Sequence, residues 1–190
     1  MKRLILALGV LAMTIPMSAQ TSTWVPDKAH SGVDFSILHM SLSKVRGHFG
    51  NLGGKIVLNE ADITKSTVEM TIDVTTVDSG NSMRDNDLKG TNFFDVAQFP
   101  TATFVSTSVA KHGDGLTVNG NLTLHGVSKP VVLDVEGPTG PVPSMDKKPH
   151  SWFSATTTMK RTDFGIASKF PAAVLGDEVK LTIDLDVAKQ

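Results

Sequence analysis

The chain has 190 residues, enough for one domain on the usual scale of roughly 100 to 200 residues each. With 40% hydrophobic and 19% charged residues it can build a sizeable core, which argues against disorder. A formal charge of −1 supplies no basic field for nucleic acid, and the absence of cysteine removes disulfides, thiolate metal sites, iron–sulfur clusters and cysteine nucleophiles together.

The N-terminus reads as a secretory signal peptide. Lys2 and Arg3 precede an apolar run from Leu4 to Met13, and Pro16, Ser18 and Ala19 lead to a small-residue cut before Gln20. The run is shorter than the roughly 18 apolar residues of a membrane span. The expectation is a leader over residues 1–19 and a single exported domain over residues 20–190, periplasmic or secreted. Loss of Lys2 and Arg3 with the leader takes the formal charge from −1 to −3.

Downstream, strand patterns follow one another. Val33, Phe35 and Ile37 share a parity, and His39 continues it. A short run covers residues 56–58. Residues 67–74 alternate cleanly, with Val68, Met70, Ile72 and Val74 opposing Thr67, Glu69, Thr71 and Asp73. Residues 102–109, which include Phe104, come next. Leu116, Val118, Gly120, Leu122 and Leu124 then form a second clean face. Residues 131–135 and residues 153–159, opened by Phe153, are less regular, and Val179, Leu181, Ile183, Leu185 and Val187 form a third clean face near the end.

Turn chemistry is expected at Gly53-Gly54, at residues 59–62, at Gly113-Asp114-Gly115, and at residues 125–130 with Pro130 opening the next strand. Residues 137–149, with four prolines and two glycines, read as a surface loop. Ser82-Met83-Arg84-Asp85 has the form of a capping box with Ser82 as N-cap, and Gly90 suits a C′ position, so a helix of about two turns is placed between them. Eight to ten alternating strands without crossover helices exclude a parallel sheet. A closed antiparallel barrel or a sandwich remains, and the barrel is preferred: the fold expected is all-β, an extended antiparallel barrel of about eight strands with one short helix. Such a barrel is just wide enough for one small ligand, and ten-residue strands give a bore of roughly 34 Å, a slot for a long thin lipid. A core filled by its own side chains is the plainer alternative.

Catalytic signals are weak. No Gly-x-Ser-x-Gly elbow is present, Asp85 and Asp87 read as capping or solvated residues on the short helix, and the six histidines lack metal-ligand spacing. No catalytic residue, metal ligand or required cofactor is assigned. His39 could hydrogen-bond a ligand head or serve as a structural histidine.

Several blocks together resemble the YceI-like family of exported bacterial proteins. They are Trp24-Val25-Pro26-Asp27-Lys28-Ala29-His30-Ser31 with Val33, Phe35 and His39; Val45-Arg46-Gly47-His48-Phe49; Asp78-Ser79-Gly80-Asn81 with Met83-Arg84-Asp85 and Asp87-Leu88; Phe93-Phe94-Asp95-Val96 with Phe99-Pro100; residues 122–131; Arg161-Thr162-Asp163-Phe164-Gly165-Ile166; and Gly176-Asp177-Glu178-Val179. They run in order from Trp24 to Val187. The sequence departs from the family pattern after Ile166, where Ala167-Ser168-Lys169-Phe170-Pro171 replaces a bulky residue and a polar turn.

The resemblance implies a lipocalin-like barrel whose lumen takes a polyisoprenoid, such as an isoprenoid quinone, in a binder or carrier and not an enzyme. Transient membrane contact and a monomer or homodimer are compatible with it. The ligand-contacting set is then Phe35, Ile37, His39, Phe49, Met70, Ile72, Phe104, Leu122, Leu124 and Phe153 along the walls. Met83, Arg84, Phe93 and Phe94 join it from a lid over residues 82–94, and Arg161 and Phe164 from the rim. Arg46, Arg84 and Arg161 lie in the family-like blocks near turns and suit a phosphate or carbonyl head group, or else Arg84 and Arg161 form ion pairs with Asp85 and Asp163 that lock the rim. Two other functions stay open: a hydrolase or isomerase acting on a barrel-bound lipid, which needs polar groups deep in the lumen, and an interaction protein with a self-filled core.

Overall fold

The computed structural model describes residues 20–190, so the leader assigned to residues 1–19 lies outside the described residues. Ten strands run in chain order: β1 (Thr21–Pro26), β2 (Gly32–His39), β3 (Ser43–Phe49), β4 (Gly53–Asn59), β5 (Thr67–Asp73), β6 (Thr101–His112), β7 (Gly115–Leu124), β8 (Val127–Pro143), β9 (Pro149–Lys160) and β10 (Leu175–Lys189). One α-helix, α1 (Ser82–Lys89), follows β5.

All pairings between named strands are antiparallel, and eight of the strands close on themselves in the order β1-β4-β5-β6-β7-β8-β9-β10, with β10 returning to β1. Closure leaves no free edge over that stretch. The free side of β10 is shared. Its lower end pairs with β1 through Val187↔Pro26, and its upper part pairs with β2 through Ile183↔Val33 and Leu181↔Phe35. β3 extends this upper wall, and its far edge reaches the segment before α1 by a single bridge, His48↔Asp78. The barrel is therefore closed by strands below and by irregular chain above.

The clean alternations lie where period two places them. In β7, Leu116, Val118, Leu122 and Leu124 are buried, and in β10 Val179, Leu185 and Val187 are buried. Each strand thus presents one apolar face to the lumen, as half-buried strands do.

Four local expectations are corrected. Residues 137–143 are not loop but the second half of β8. Beyond Val135, opposite Leu116, β7 has ended and β8 pairs only with β9, so this stretch is an edge where proline costs no ladder bond, and its register shifts twice. Only residues 144–148 turn. Gly53 and Gly54 open β4 instead of forming a turn. A Cβ on Gly54, at φ +109°, would lie 2.1 Å from the Glu69 carbonyl of β5. His125 and Gly126, at φ 52° and 74°, make a two-residue hairpin turn, so β8 starts at Val127 and Pro130 lies within it, opposite Asn121. The N-cap of α1 is Asn81, whose side chain accepts from the Arg84 N–H at 3.1 Å. Asp85 instead accepts from the backbone and hydroxyl of Ser79, and Gly90, at φ −77°, is an extended C-cap and not left-handed.

Candidate ligand-binding lumen

Two cavities of about 110 and 250 Å³ lie one above the other inside the barrel. Val33, Ile72, Leu122 and Leu181 line both, so the two cavities adjoin at a waist formed by these four residues.

The lower cavity is walled by strand residues of clean parity, among them Met70, Phe104, Val118 and Phe153. No exposed residue lines it, and only Ser66 and Thr157 bring polar side chains to its wall. The Ser66 hydroxyl accepts from the Asn59 N–H at 3.0 Å. A glycine keeps the bore open. Gly120 shares the inward parity of β7, and a Cβ there would meet the Phe104 ring at 2.3 Å, so the ring can lie against the wall only because that side chain is missing. Gly47 on β3 does the same for Phe35 in the upper half.

The upper cavity is lined by Phe35, Ile37, His39, Phe49, Leu122, Leu124 and Arg161 together with Arg84, Asp87 and Leu88 of α1, and Phe93 and Phe94 beyond it. Phe35, Phe49 and Phe94 form an aromatic chain with ring centres 5.4 Å apart at each step. The helix and the two phenylalanines, the segment expected to form a lid, make up part of the wall at this end. His39 and Asp87 are both exposed, so the cavity reaches the surface beside them.

Of the sixteen residues assigned from the sequence, fourteen line one cavity or the other. Met83 does not and is 77% exposed. Arg84, Asp87 and Leu88 define the inner stripe of α1, and Met83 stands about 90° from its centre at 3.6 residues per turn. Phe164 is fully buried but lines neither cavity, being enclosed with the rim, where His125 Nδ1 lies 3.0 Å from its carbonyl. Residues such as Leu52 and Ile63 line the lower cavity from outside any strand pattern and left no periodic signal. Asp87 was legible only as helix surface, because nothing local shows which side of α1 meets the barrel.

The two arginines differ in kind. Arg161 is 2% exposed, and all of its N–H groups point at backbone carbonyls. Nε donates to Gly176, Nη1 to Ile166 and Ala167, and Nη2 to Phe170 and Leu175, at 2.6 to 3.1 Å. A guanidinium has five N–H donors, so none remains for a head group. The expected Arg161–Asp163 pair does not form; the cation instead gathers the rim over residues 165–176, where the sequence departs from the family pattern. Arg84 donates from Nε and Nη2 to the hydroxyl and carbonyl of Ser79, both at 2.8 Å, and not to Asp85. No protein partner is recorded for its Nη1 among the described residues, and the residue lines the upper cavity.

At the opposite, closed end, Asp27, His30 and Asp186 offer ligand atoms within 4.8 Å of one another. His30 Nδ1 lies 3.0 Å from Asp27, and the buried His150 lies between two carboxylates, Nδ1 2.5 Å from Asp186 and Nε2 3.2 Å from Asp146. Ionised carboxylates only accept, so both His150 nitrogens must carry protons for both bonds to form. These contacts hold His150 above the ordinary imidazole pKa, Asp186 contributing most.

A closed antiparallel barrel around a largely apolar lumen defines a lipocalin-like fold. The YceI-like domain model matches residues 24–187, and the chain belongs to the YceI-like family. A UPF0312 protein of Vibrio cholerae serotype O1 is 36% identical over 87% of this chain and 89% of its own length, and one of Shewanella sp. is 34% identical over 96% and 97%. Among solved structures, BcnA of Burkholderia cenocepacia superposes with a TM-score of 0.75 at 25% identity, covering 85% of this chain and 98% of BcnA. A YCEI protein of Campylobacter jejuni gives 0.71 at 30%, covering 80% and 90%. A polyisoprenoid binding domain from Saccharophagus degradans shares the fold at 0.62 and 16%, covering 90% and 100%.

Proposed function

We propose that the protein is exported to the periplasm, or secreted, and there binds and carries a polyisoprenoid lipid with its chain in the lumen and its head at the α1 end. The observation that carries this reading is the pair of largely apolar cavities stacked inside the barrel and adjoining at Val33, Ile72, Leu122 and Leu181. From Leu175 to Leu185 the wall strand β10 rises roughly 33 Å along its length, or about 25 Å of depth at ordinary barrel tilt. That shape suits a long thin chain, and the polyisoprenoid-binding relative of the same fold supports its chemical class. The cavities support a ligand-holding lumen over a self-filled core. The apolar lower wall supports binding over lipid chemistry, which needs polar groups deep in the barrel.

Chain burial dominates this binding. Several hundred Å² of prenyl surface at roughly 25 cal/mol per Å² is on the order of 10 kcal/mol before association costs. One charge-assisted hydrogen bond from Arg84 adds only about 1.5 to 3 kcal/mol. Affinity across a ladder of prenyl lengths should therefore rise until the channel is full. Solvent extraction of protein purified from its native host, followed by mass spectrometry, should release a prenyl lipid; a consistently different bound molecule would overturn the assignment.

A further inference from the structure

The mouth end carries a surface that lumen binding does not require. The turn between β2 and β3 projects Met40 and Leu42, 55% and 87% exposed, with Leu38 just below at 40%, and Phe170 on the rim is 37% exposed. Apolar side chains of this size so far into solvent mark a contact surface.

The turn is firmly built. Met40 and Ser41 both hold positive φ, 50° and 57°, and the Leu42 N–H donates to the His39 carbonyl at 3.0 Å. It is also fastened to the rim, because the Met40 N–H donates to the Val174 carbonyl at 2.8 Å and His39 pairs with Leu175. Phe170 stacks on Phe93, which lines the upper cavity, with ring centres 5.6 Å apart. Turn, rim and mouth thus form one continuous structure.

Its charge differs from that of the rest of the chain. Residues 36–47 contain Lys44 and Arg46, residues 165–176 contain Lys169, and neither segment holds an aspartate or glutamate. All three basic side chains are exposed. Of the acidic residues that flank these segments, Asp34 is engaged with His48 at 2.9 Å and Asp177 with the Thr162 hydroxyl at 2.7 Å, while Asp163 and Glu178 are exposed just outside the rim segment. Helix α1 is balanced, Arg84 and Lys89 against Asp85 and Asp87.

We propose that this end docks on the surface of a bilayer containing anionic lipid, with Met40, Leu42 and Phe170 entering the interface and Lys44, Arg46 and Lys169 facing the headgroups. Projecting apolar residues on segments whose own charged side chains are all basic match an anionic interface, which takes apolar groups below and cations at headgroup level. A protein partner would have to supply a pocket for the turn. The inference deepens the lipid-carrier reading, since docking here puts the mouth against the membrane from which a prenyl chain would be drawn.

The exported chain would be sedimented with vesicles of phosphatidylcholine alone and of phosphatidylcholine mixed with phosphatidylglycerol. The wild type should bind the mixed vesicles and bind the neutral ones more weakly. Met40→Asp with Leu42→Asp should lower partitioning at least about tenfold, and Lys44→Glu with Lys169→Glu should abolish the preference for phosphatidylglycerol. Met145→Asp, on the fully exposed turn at the opposite end, should change nothing. Uptake of a prenyl chain delivered from detergent should survive in the Met40/Leu42 variant, which shows that the barrel is intact. Equal vesicle binding by wild type and variant, no binding by the wild type, or an equal loss in Met145→Asp would overturn the proposal. So would loss of a dimer in the Met40/Leu42 variant without change in vesicle binding, which would assign the surface to a second copy. Vesicle binding without prenyl uptake by the wild type would instead refute the lumen reading and leave docking standing.

Discussion

The two halves of the barrel solve different problems with different materials. The lower half is enclosed chiefly by hydrogen-bonded strands, and its bore follows from strand number and from alternating apolar residues such as Met70, Val118 and Phe153. The upper half is finished by α1, Phe93, Phe94 and the rim over residues 165–174, none of which belongs to the closed sheet. A strand ladder satisfies its own backbone, whereas an irregular rim needs something else to satisfy its carbonyls. Arg161 does this above, and nothing comparable is needed below. Regular structure fixes the size of the lumen, and one buried cation fixes the shape of its entrance.

The largest test of this contrast is Arg161→Met. Five carbonyls lose their donors at once, so the loss of stability should reach about 3 kcal/mol or more, seen as a lower urea midpoint, with the rim becoming protease-sensitive. Arg84→Met, whose carbonyl and hydroxyl partners on Ser79 are only partly buried, should cost less than about 1 kcal/mol and should act mainly on head-group preference. Equal losses would show that the rim does not depend on its cation.

Next in size is a neighbour pair on β5. Ile72→Asp places a carboxyl group at the apolar waist and should cost about 2 kcal/mol and most of the prenyl affinity, while Thr71→Asp, on the exposed face, should be mild in both measurements. Similar effects at the two positions would mean that the waist is not the passage between the halves.

Gly120→Val should act on the lower half alone. The added side chain pushes the Phe104 ring into the bore, so the longest prenyl chains should lose about tenfold in affinity, roughly 1.4 kcal/mol, while chains short enough to stop at the waist keep theirs. A uniform loss across the ladder would place the ligand only in the upper cavity.

The smallest effect concerns the closed end. His150 holds its proton more tightly in the folded protein than in the unfolded chain. Its contribution is therefore complete below about 6.5, the free imidazole value, and is lost as pH rises through the higher folded-state pKa. His150→Asn should flatten the stability profile over that interval while leaving prenyl affinity unchanged, measured by thermal unfolding at a series of pH values.

The sequence by itself determined the fold class, the clean inward faces of β5, β7 and β10, the presence of α1 and the family, because a strand with one wet face must alternate and a short capped segment between glycines has few other uses. It misjudged residues 137–143, since proline and glycine read as loop wherever the missing neighbour strand is not known. Only the tertiary structure decided that Met83 faces solvent while Asp87 lines the cavity, and that Arg161 is spent on five carbonyls while Arg84, bonded to Ser79 alone, lines the lumen. It alone decided that Gly120 makes room for Phe104. Each of these depends on how chain beyond one strand or helix closes around a residue: Leu175 and Gly176 reach Arg161 where β10 runs beside β9, and Ile166, Ala167 and Phe170 reach it through the turn between those strands; a periodicity within one strand carries no information about such meetings.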